Sequence, residues 1–170
     1  MACVVLSLDD LDIILFRIKQ EMYTKTRLML PEDYDGIYDL WMSCEGMGLN
    51  HLDDSREGIS RFLNRNPDTC FVAINYDETL IGVVMAGSDG RRGYIYHTAV
   101  HPNFQKMGVG KKLVNEALKS LRHHGINKVA LVVFEKNESG NEFWEKIGFS
   151  VRDDLVYRNK ALVEMIRVDT

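Results

Sequence analysis

The first part of the chain places one apolar run before two segments of helical spacing. Residues 26–30 predict a strand, and Pro31 opens a helix because proline is tolerated at the first helical position. The apolar stripe of that helix comprises Ile37, Leu40 and Trp41. After a loop over residues 45–53, Asp54 to Glu57 have the pattern of a capping box, which predicts that a second helix begins there.

The middle of the chain predicts a hairpin, a further strand and a long helix. Residues 69–76 and 79–87 are two apolar runs around a short turn, which is typical of a β-hairpin. The next apolar run ends at Val100, and a helical pattern covers residues 111–124. The apolar face of that helix comprises Leu113, Val114, Ala117, Leu118 and Leu121.

The last part of the chain predicts one buried strand, a short helix and two closing strands. Residues 128–134 form the strand, and residues 139–147 form the helix. Residues 149–152 and 155–157 predict the closing strands, with an extension through Ile166 left open. The order is β-α-α-β-β-β-α-β-α-β-β, which predicts an α/β (α+β) fold with a mixed sheet of about seven strands and about four helices.

Size, charge and cysteine content restrict the function classes. The 170 residues predict one domain, which we place at residues 22–170. The net charge of −4 argues against a nucleic-acid partner. No apolar stretch is long enough to span a bilayer, so no membrane partner is expected. The three cysteines are widely spaced and predict neither a disulfide framework nor a metal site, which favours a reduced, cytoplasmic location.

The N-terminal residues 1–21 form an extension with two open interpretations. Its apolar residues Leu11, Ile14, Leu15 and Ile18 have helical spacing, which predicts an amphipathic helix on the domain or on a partner chain. A homodimer is therefore one expectation. The other interpretation is an upstream start codon, with Met22 as the functional start.

Glycines at the start of the long helix predict an anion site. Gln105 to Gly110 lie between a strand and a helix, where backbone N–H groups and the positive end of the helix dipole favour an anion such as pyrophosphate. A Walker A loop does not fit, because Lys112 stands where Ser or Thr is needed. A Rossmann loop does not fit either, because Leu113 holds the third glycine position.

A third loop pattern matches, and it identifies a family resemblance. Val100-His-Pro102 followed by Gln105 to Gly110 resembles the acyl-CoA pyrophosphate loop of the GNAT N-acetyltransferase superfamily. Asn137 to Phe149 resemble the "N-x-x-A-x-x-F-Y-x-K-x-G-F" segment that lies downstream in that family. The resemblance covers roughly residues 23 to 165 and implies the strand and helix order given above.

The resemblance implies acetyl-CoA as co-substrate and no metal. The pyrophosphate is expected on the N–H groups of residues 106–111. The pantetheine arm is expected beside the backbone of residues 98–100, where an N–H group can polarise the thioester carbonyl. The residues so assigned are Thr98, Ala99, Val100, Gln105, Lys106, Met107, Gly108, Val109, Gly110, Lys111, Asn137, Asn141 and Trp144.

The catalytic acid and base are where the chain departs from the family pattern. Trp144 stands where many members have a tyrosine that protonates the leaving thiolate, and an indole N–H cannot act as an acid near neutral pH. Tyr94 and Val132 stand where some members place a glutamate. The remaining base candidates are His97, Tyr96 and Tyr157, with a water relay as the alternative. Without a bulge, only one of Tyr96 and His97 can face the substrate.

The acceptor site has two conflicting charge signals. Acidic residues in the loop after the first helix, such as Asp53 and Asp54, would suit a cationic amine, although Asp54 is also expected to cap a helix. Arg91 and Arg92 would instead attract a carboxylate. A small-molecule or peptide amine is therefore expected without further definition.

Three functions fit the sequence. The first is an acyl-CoA-dependent N-acyltransferase in which the amine attacks acetyl-CoA directly in a ternary complex. The second is a CoA-binding regulatory module without catalysis, suggested by the missing tyrosine at Trp144. The third is a different phosphate-binding enzyme, against which the failed Walker and Rossmann matches argue.

Overall fold

Five strands form one mixed sheet in chain order in the computed structural model, which describes residues 24–168. The strands are β1 (Lys25–Leu28), β2 (Phe71–Ile74), β3 (Leu80–Ser88), β4 (Gly93–Val100) and β5 (Val129–Leu131). The first three pairings are antiparallel, and β4 pairs with β5 in parallel. The predicted α/β class with a mixed sheet is confirmed.

Within residues 24–168, four helices cover the two faces of this sheet. They are α1 (Tyr34–Met42), α2 (Arg56–Arg65), α3 (Val109–His123) and α4 (Glu138–Lys146), with short 3-10 turns at Pro31–Asp33 and Pro102–Phe104. The predicted stripes of α1 and α3 are buried in two separate cores. One core lies between α1, α2 and the sheet, and the other lies between α3 and the opposite face. The central sheet therefore has a helical layer on each side.

The sheet has five strands among the described residues, so the prediction of two closing strands is wrong. Residues 150–166 are exposed and form no strand. Arg152 and Asp154 form an ion pair across a turn, and Leu155, Val156 and Tyr157 are consecutive apolar residues. A strand at the edge of a sheet buries alternate residues. Pairing residues 155–157 in either register would leave an apolar side chain of the run exposed on the other face. The segment is joined to the α1–α2 loop by an isolated bridge between Arg167 and Asn50.

A bulge in β4 changes which side chains share a face. Val84 pairs with Thr98 but Ala86 pairs with Ile95, so Met85 alone lies opposite two residues of β4, Tyr96 and His97. Tyr96 contacts Phe62 of α2, and His97 contacts Trp41 of α1. Both side chains therefore face the α1–α2 layer.

The predictions for residues 1–21 lie outside the described residues. Within residues 24–168, no helix is both long and apolar enough to cross a bilayer.

Candidate active site

β4 and β5 separate after a short stretch of pairing. Their register ends at Ile95 and Leu131. Beyond that point, Thr98, Ala99 and Val100 pair with β3 on one edge, and no described strand pairs with the other. The Val100 carbonyl accepts a hydrogen bond from Gln105 Nε2 at 3.0 Å. The Oγ1 atom of Thr98 is buried without a partner among the described residues. This edge has the form expected for binding an extended chain of amide groups.

The glycine loop leads directly into α3. Gly108 precedes the helix with φ of 80°, in the left-handed region that favours glycine. A Cβ at Gly108 would meet no atom within 4 Å, so the space above it is free. No side chain among the described residues caps the helix, which leaves its first N–H groups available to an anion. The loop therefore fits a pyrophosphate.

The side chains around this loop divide into structural and exposed groups. Lys106 and Lys111 are exposed beside the helix start. Val109 is buried in the core, and Met107 packs against it in part. Lys112 donates to the Thr24 carbonyl at 2.5 Å, which ties α3 to the start of β1. Lys106 and Lys111 are thus the cations that could approach phosphate oxygens, because Lys112 is engaged with Thr24.

Asn137 and Asn141 stabilise the turn between β5 and α4. The Asn137 side chain accepts a hydrogen bond from the Gly140 N–H at 2.9 Å and caps α4. Asn141 Nδ2 donates to the carbonyls of Phe134 and Asn137. These contacts are structural, and a contact of either amide with pantetheine stays a prediction.

Trp144 lies in an aromatic cluster on α4. Its ring centroid is 5.0 Å from that of Phe143 and 5.1 Å from that of Phe149. Phe143 in turn lies against Gly110, where a Cβ would be 3.3 Å from the ring. The cluster thus connects α4 to the first turn of α3, and the expected contact of Trp144 with CoA stays a prediction.

His97 and Asp54 form a polar pair beside the open edge of β4. His97 Nε2 lies 2.7 Å from Asp54 Oδ1, and the two side chains are 18% and 5% exposed. The Trp41 ring lies 5.0 Å from the imidazole. If neutral His97 donates its Nε2 hydrogen to Asp54, its Nδ1 atom keeps a free lone pair. The pair can therefore accept a proton at Nδ1.

Asp54 is held for this contact by the loop before α2. Its Oδ2 atom accepts hydrogen bonds from the Asn50 N–H at 2.7 Å and from Asn50 Nδ2 at 3.2 Å. The expectation that Asp54 caps α2 is wrong, because the cap is Ser55, whose Oγ accepts from the Gly58 N–H at 3.1 Å. The sequence pattern placed the cap one residue too early and gave no sign of the contacts of Asp54 with His97 and Asn50.

The two tyrosine candidates are less suited to accept a proton. Tyr96 is 51% exposed, and burial of its ring still raises its pKa. Tyr157 is 67% exposed and does not lie on a strand, so the position assumed for it is wrong. Both residues nevertheless line a groove beyond β5, which also includes Trp144.

Comparison with known proteins agrees with this geometry. The profile of the Acetyltransferase (GNAT) family matches residues 34–149. An acetyltransferase of Pectobacterium atrosepticum is 32% identical over 138 residues, which cover 81% of this chain and 95% of that protein. An acetyltransferase of Sodalis glossinidius is 30% identical over the same shares of the two chains.

A solved structure supports the fold. The PaiA N-acetyltransferase of Thermoplasma acidophilum, crystallised with coenzyme A, has a TM-score of 0.68 and 21% identity, covering 76% of this chain and 91% of that one. The interpretation as a module without catalysis is set aside, because the family and the named relatives are acetyltransferases. The chain belongs to the Acetyltransferase (GNAT) family and is an acetyl-CoA-dependent N-acetyltransferase.

Proposed function

We propose that this protein acetylates a primary amine by direct attack in a ternary complex, and that His97 accepts the proton of the amine. The observation that carries the proposal is the contact of His97 Nε2 with the buried Asp54 carboxylate beside the open edge of β4. The contact orients the ring and leaves Nδ1 to act as a base.

The atoms of the reaction balance without a covalent enzyme intermediate. The amine nitrogen bonds to the acetyl carbon, the carbon–sulfur bond breaks, and CoA leaves as a thiolate. A primary amine has a pKa of about 10 in water and arrives protonated, so a base must take its proton. The Cys44 thiol is a poor nucleophile because burial raises its pKa, which supports direct attack.

As the tetrahedral intermediate collapses, its nitrogen releases a second proton to solvent, and in this proposal the leaving thiolate receives its proton from solvent. Trp144 has no ionisable proton near neutral pH, so it contributes packing rather than acid catalysis. We also propose a cytoplasmic location, supported by acetyl-CoA as donor and by the free thiols of Cys44 and Cys70.

The test is thiol release from acetyl-CoA with a panel of primary amines across pH. In the His97→Gln variant we expect kcat/KM to fall by about 100-fold or more and the acid limb of the pH profile to move toward the pKa of the amine, because only amine that is already deprotonated in solution then reacts. His124→Gln is the matched control, because His124 Nε2 makes the same 2.7 Å contact with Asp68 on the surface. Full activity of His97→Gln with an unchanged pH profile would exclude the proposal.

A further inference from the structure

A row of aromatic rings begins beside His97 on the α1–α2 face. The Tyr96 ring lies 5.2 Å from Phe62 of α2 and 4.9 Å from Tyr94. Tyr94 and Tyr96 share this face by strand alternation, and the β4 bulge adds His97 to it. An amine held at His97 would therefore have this row as its next neighbour along β4.

The core does not account for this row. Tyr96 is 51% exposed although it lies within a strand of the central sheet. The hydroxyl groups of Tyr94 and Tyr96 have no hydrogen-bond partner among the described residues. The rings thus present flat apolar faces and free polar ends to a groove of about 1920 Å³. Flat aromatic faces with polar ends can pack against the aromatic body of a small molecule.

Arginines lie beside the aromatic row and along its groove. Arg65, one turn after Phe62 in α2, lies near enough for its charge to oppose the burial-induced rise in the pKa of Tyr96. Arg92 and Arg158 line the same groove. Within residues 24–168, none of these three guanidinium groups forms an ion pair.

Three carboxylates that line the groove, Glu135, Glu138 and Glu145, belong to the segment from the end of β5 through α4, whereas Arg65 lies on α2. Asp89, which also lines the groove, accepts the backbone N–H groups of Arg91 and Arg92. Asp54 is buried and bonded to His97 and Asn50. The sequence suggested that the acidic loop before α2 could bind a cationic amine. The Asp54 carboxylate of that loop instead lies inside the protein.

We propose that the acceptor is a primary amine with a flat aromatic body and an anionic group at its far end. The amine lies at His97, the body lies against Tyr96 and its neighbours, and Arg65 binds the anion. The inference rests on the proposed function, because it needs the amine at His97. Aromatic packing and a charge-assisted hydrogen bond are each expected to raise kcat/KM by roughly 3- to 10-fold.

Four acceptors separate the two contributions: phenethylamine, its para-carboxylate derivative, aminocaproate and spermidine. We expect the para-carboxylate to have the highest kcat/KM in thiol-release assays, about tenfold above phenethylamine and about tenfold above aminocaproate. Spermidine should be the poorest, because its charges meet unpaired arginines.

Two variants with matched controls test the residues. Arg65→Gln should raise KM for the para-carboxylate by about tenfold and leave phenethylamine within about twofold. Arg61→Gln, an equal charge change on an exposed position of the same helix, should change neither. Tyr96→Leu should lower kcat/KM for both aromatic amines but not for aminocaproate, and Tyr76→Leu, at an exposed tyrosine outside the groove, is its control.

The outcomes separate this inference from the proposed function. If spermidine or aminocaproate is the best acceptor, or if Arg65→Gln has no selective effect, the inference is wrong while a His97-dependent reaction keeps the proposed function. If no amine turns over, the proposed function is wrong, and calorimetry of the para-carboxylate with the CoA-bound protein still tests Arg65. Equal affinity of wild type and Arg65→Gln would then exclude the inference.

Discussion

Asp54 and His97 are 43 positions apart in the sequence, and their Oδ1 and Nε2 atoms lie 2.7 Å apart. The contact joins the loop before α2 to the bulge of β4, so it depends on both elements. The Trp41 ring packs against the imidazole with its centroid 5.0 Å away. In the proposed function, Nδ1 is the ring nitrogen of His97 that accepts the proton of the amine.

Asp54→Asn should reduce activity through His97 rather than through substrate binding. An amide that donates to Nε2 would leave the ring proton on Nδ1, which then cannot accept a proton. We expect kcat/KM to fall by about 10- to 100-fold, with an altered acid limb in its pH profile and an unchanged KM for acetyl-CoA.

The control for this change is Asp68→Asn, which alters the exposed His124 pair. It should leave both the rate and the pH profile unchanged. A uniform loss of rate with an intact pH profile in Asp54→Asn would show that Asp54 only supports the fold.

Gly108→Asp should abolish CoA binding. The substitution places a carboxylate where the N–H groups of α3 face an anion, and it strains a residue with φ of 80°. Gly90→Asp is the control, because Gly90 has φ of 85° and equally free space in a turn away from the loop. Calorimetry should show no CoA binding to Gly108→Asp and wild-type affinity for Gly90→Asp. Unchanged affinity of Gly108→Asp would exclude the loop assignment.

The sequence predicted the features that depend on neighbouring residues. The glycine loop and the stripe of α3 are local patterns, and both agree with the structure. The Asp54–His97 contact is not local, and the adjacent Ser55 offered the same capping chemistry. Alternation along β4 could not reveal the bulge opposite Met85, because a bulge is a relation between two strands. The prediction of two closing strands failed for the same reason. Local apolarity can suggest a strand, but it does not show whether a neighbouring strand is available to pair with it.

Asn137 allows a test that separates capping from cofactor binding. Asp is as good an N-cap as Asn, so Asn137→Asp should keep the melting temperature close to wild type. If the side chain also contacts pantetheine, the lost amide N–H and the added charge should raise KM for acetyl-CoA by about tenfold. The Ser55→Ala variant removes a comparable cap and should lower the melting temperature without changing that KM. Wild-type KM in Asn137→Asp would leave Asn137 with a purely structural role.

Arg27 and Asp33 should make stability depend on pH at the acid end. Burial raises the pKa of Asp33, but the Arg27 guanidinium and the Leu30 N–H bind the carboxylate and hold its pKa below the usual value. A carboxyl with a lowered folded-state pKa stabilises the protein above its unfolded pKa, and this contribution is lost as pH falls through the folded value. Asp33→Asn should therefore cost about 1 kcal/mol of unfolding free energy at pH 7, after allowing for solvent screening at the half-exposed Arg27. The difference from wild type should shrink below about pH 4 in urea titrations. The control is Asp35→Asn, which alters the exposed pair with Arg56 and should change the unfolding free energy little at either pH. If the difference between Asp33→Asn and wild type stayed constant with pH, the Asp33 carboxylate would not be the source of the pH dependence.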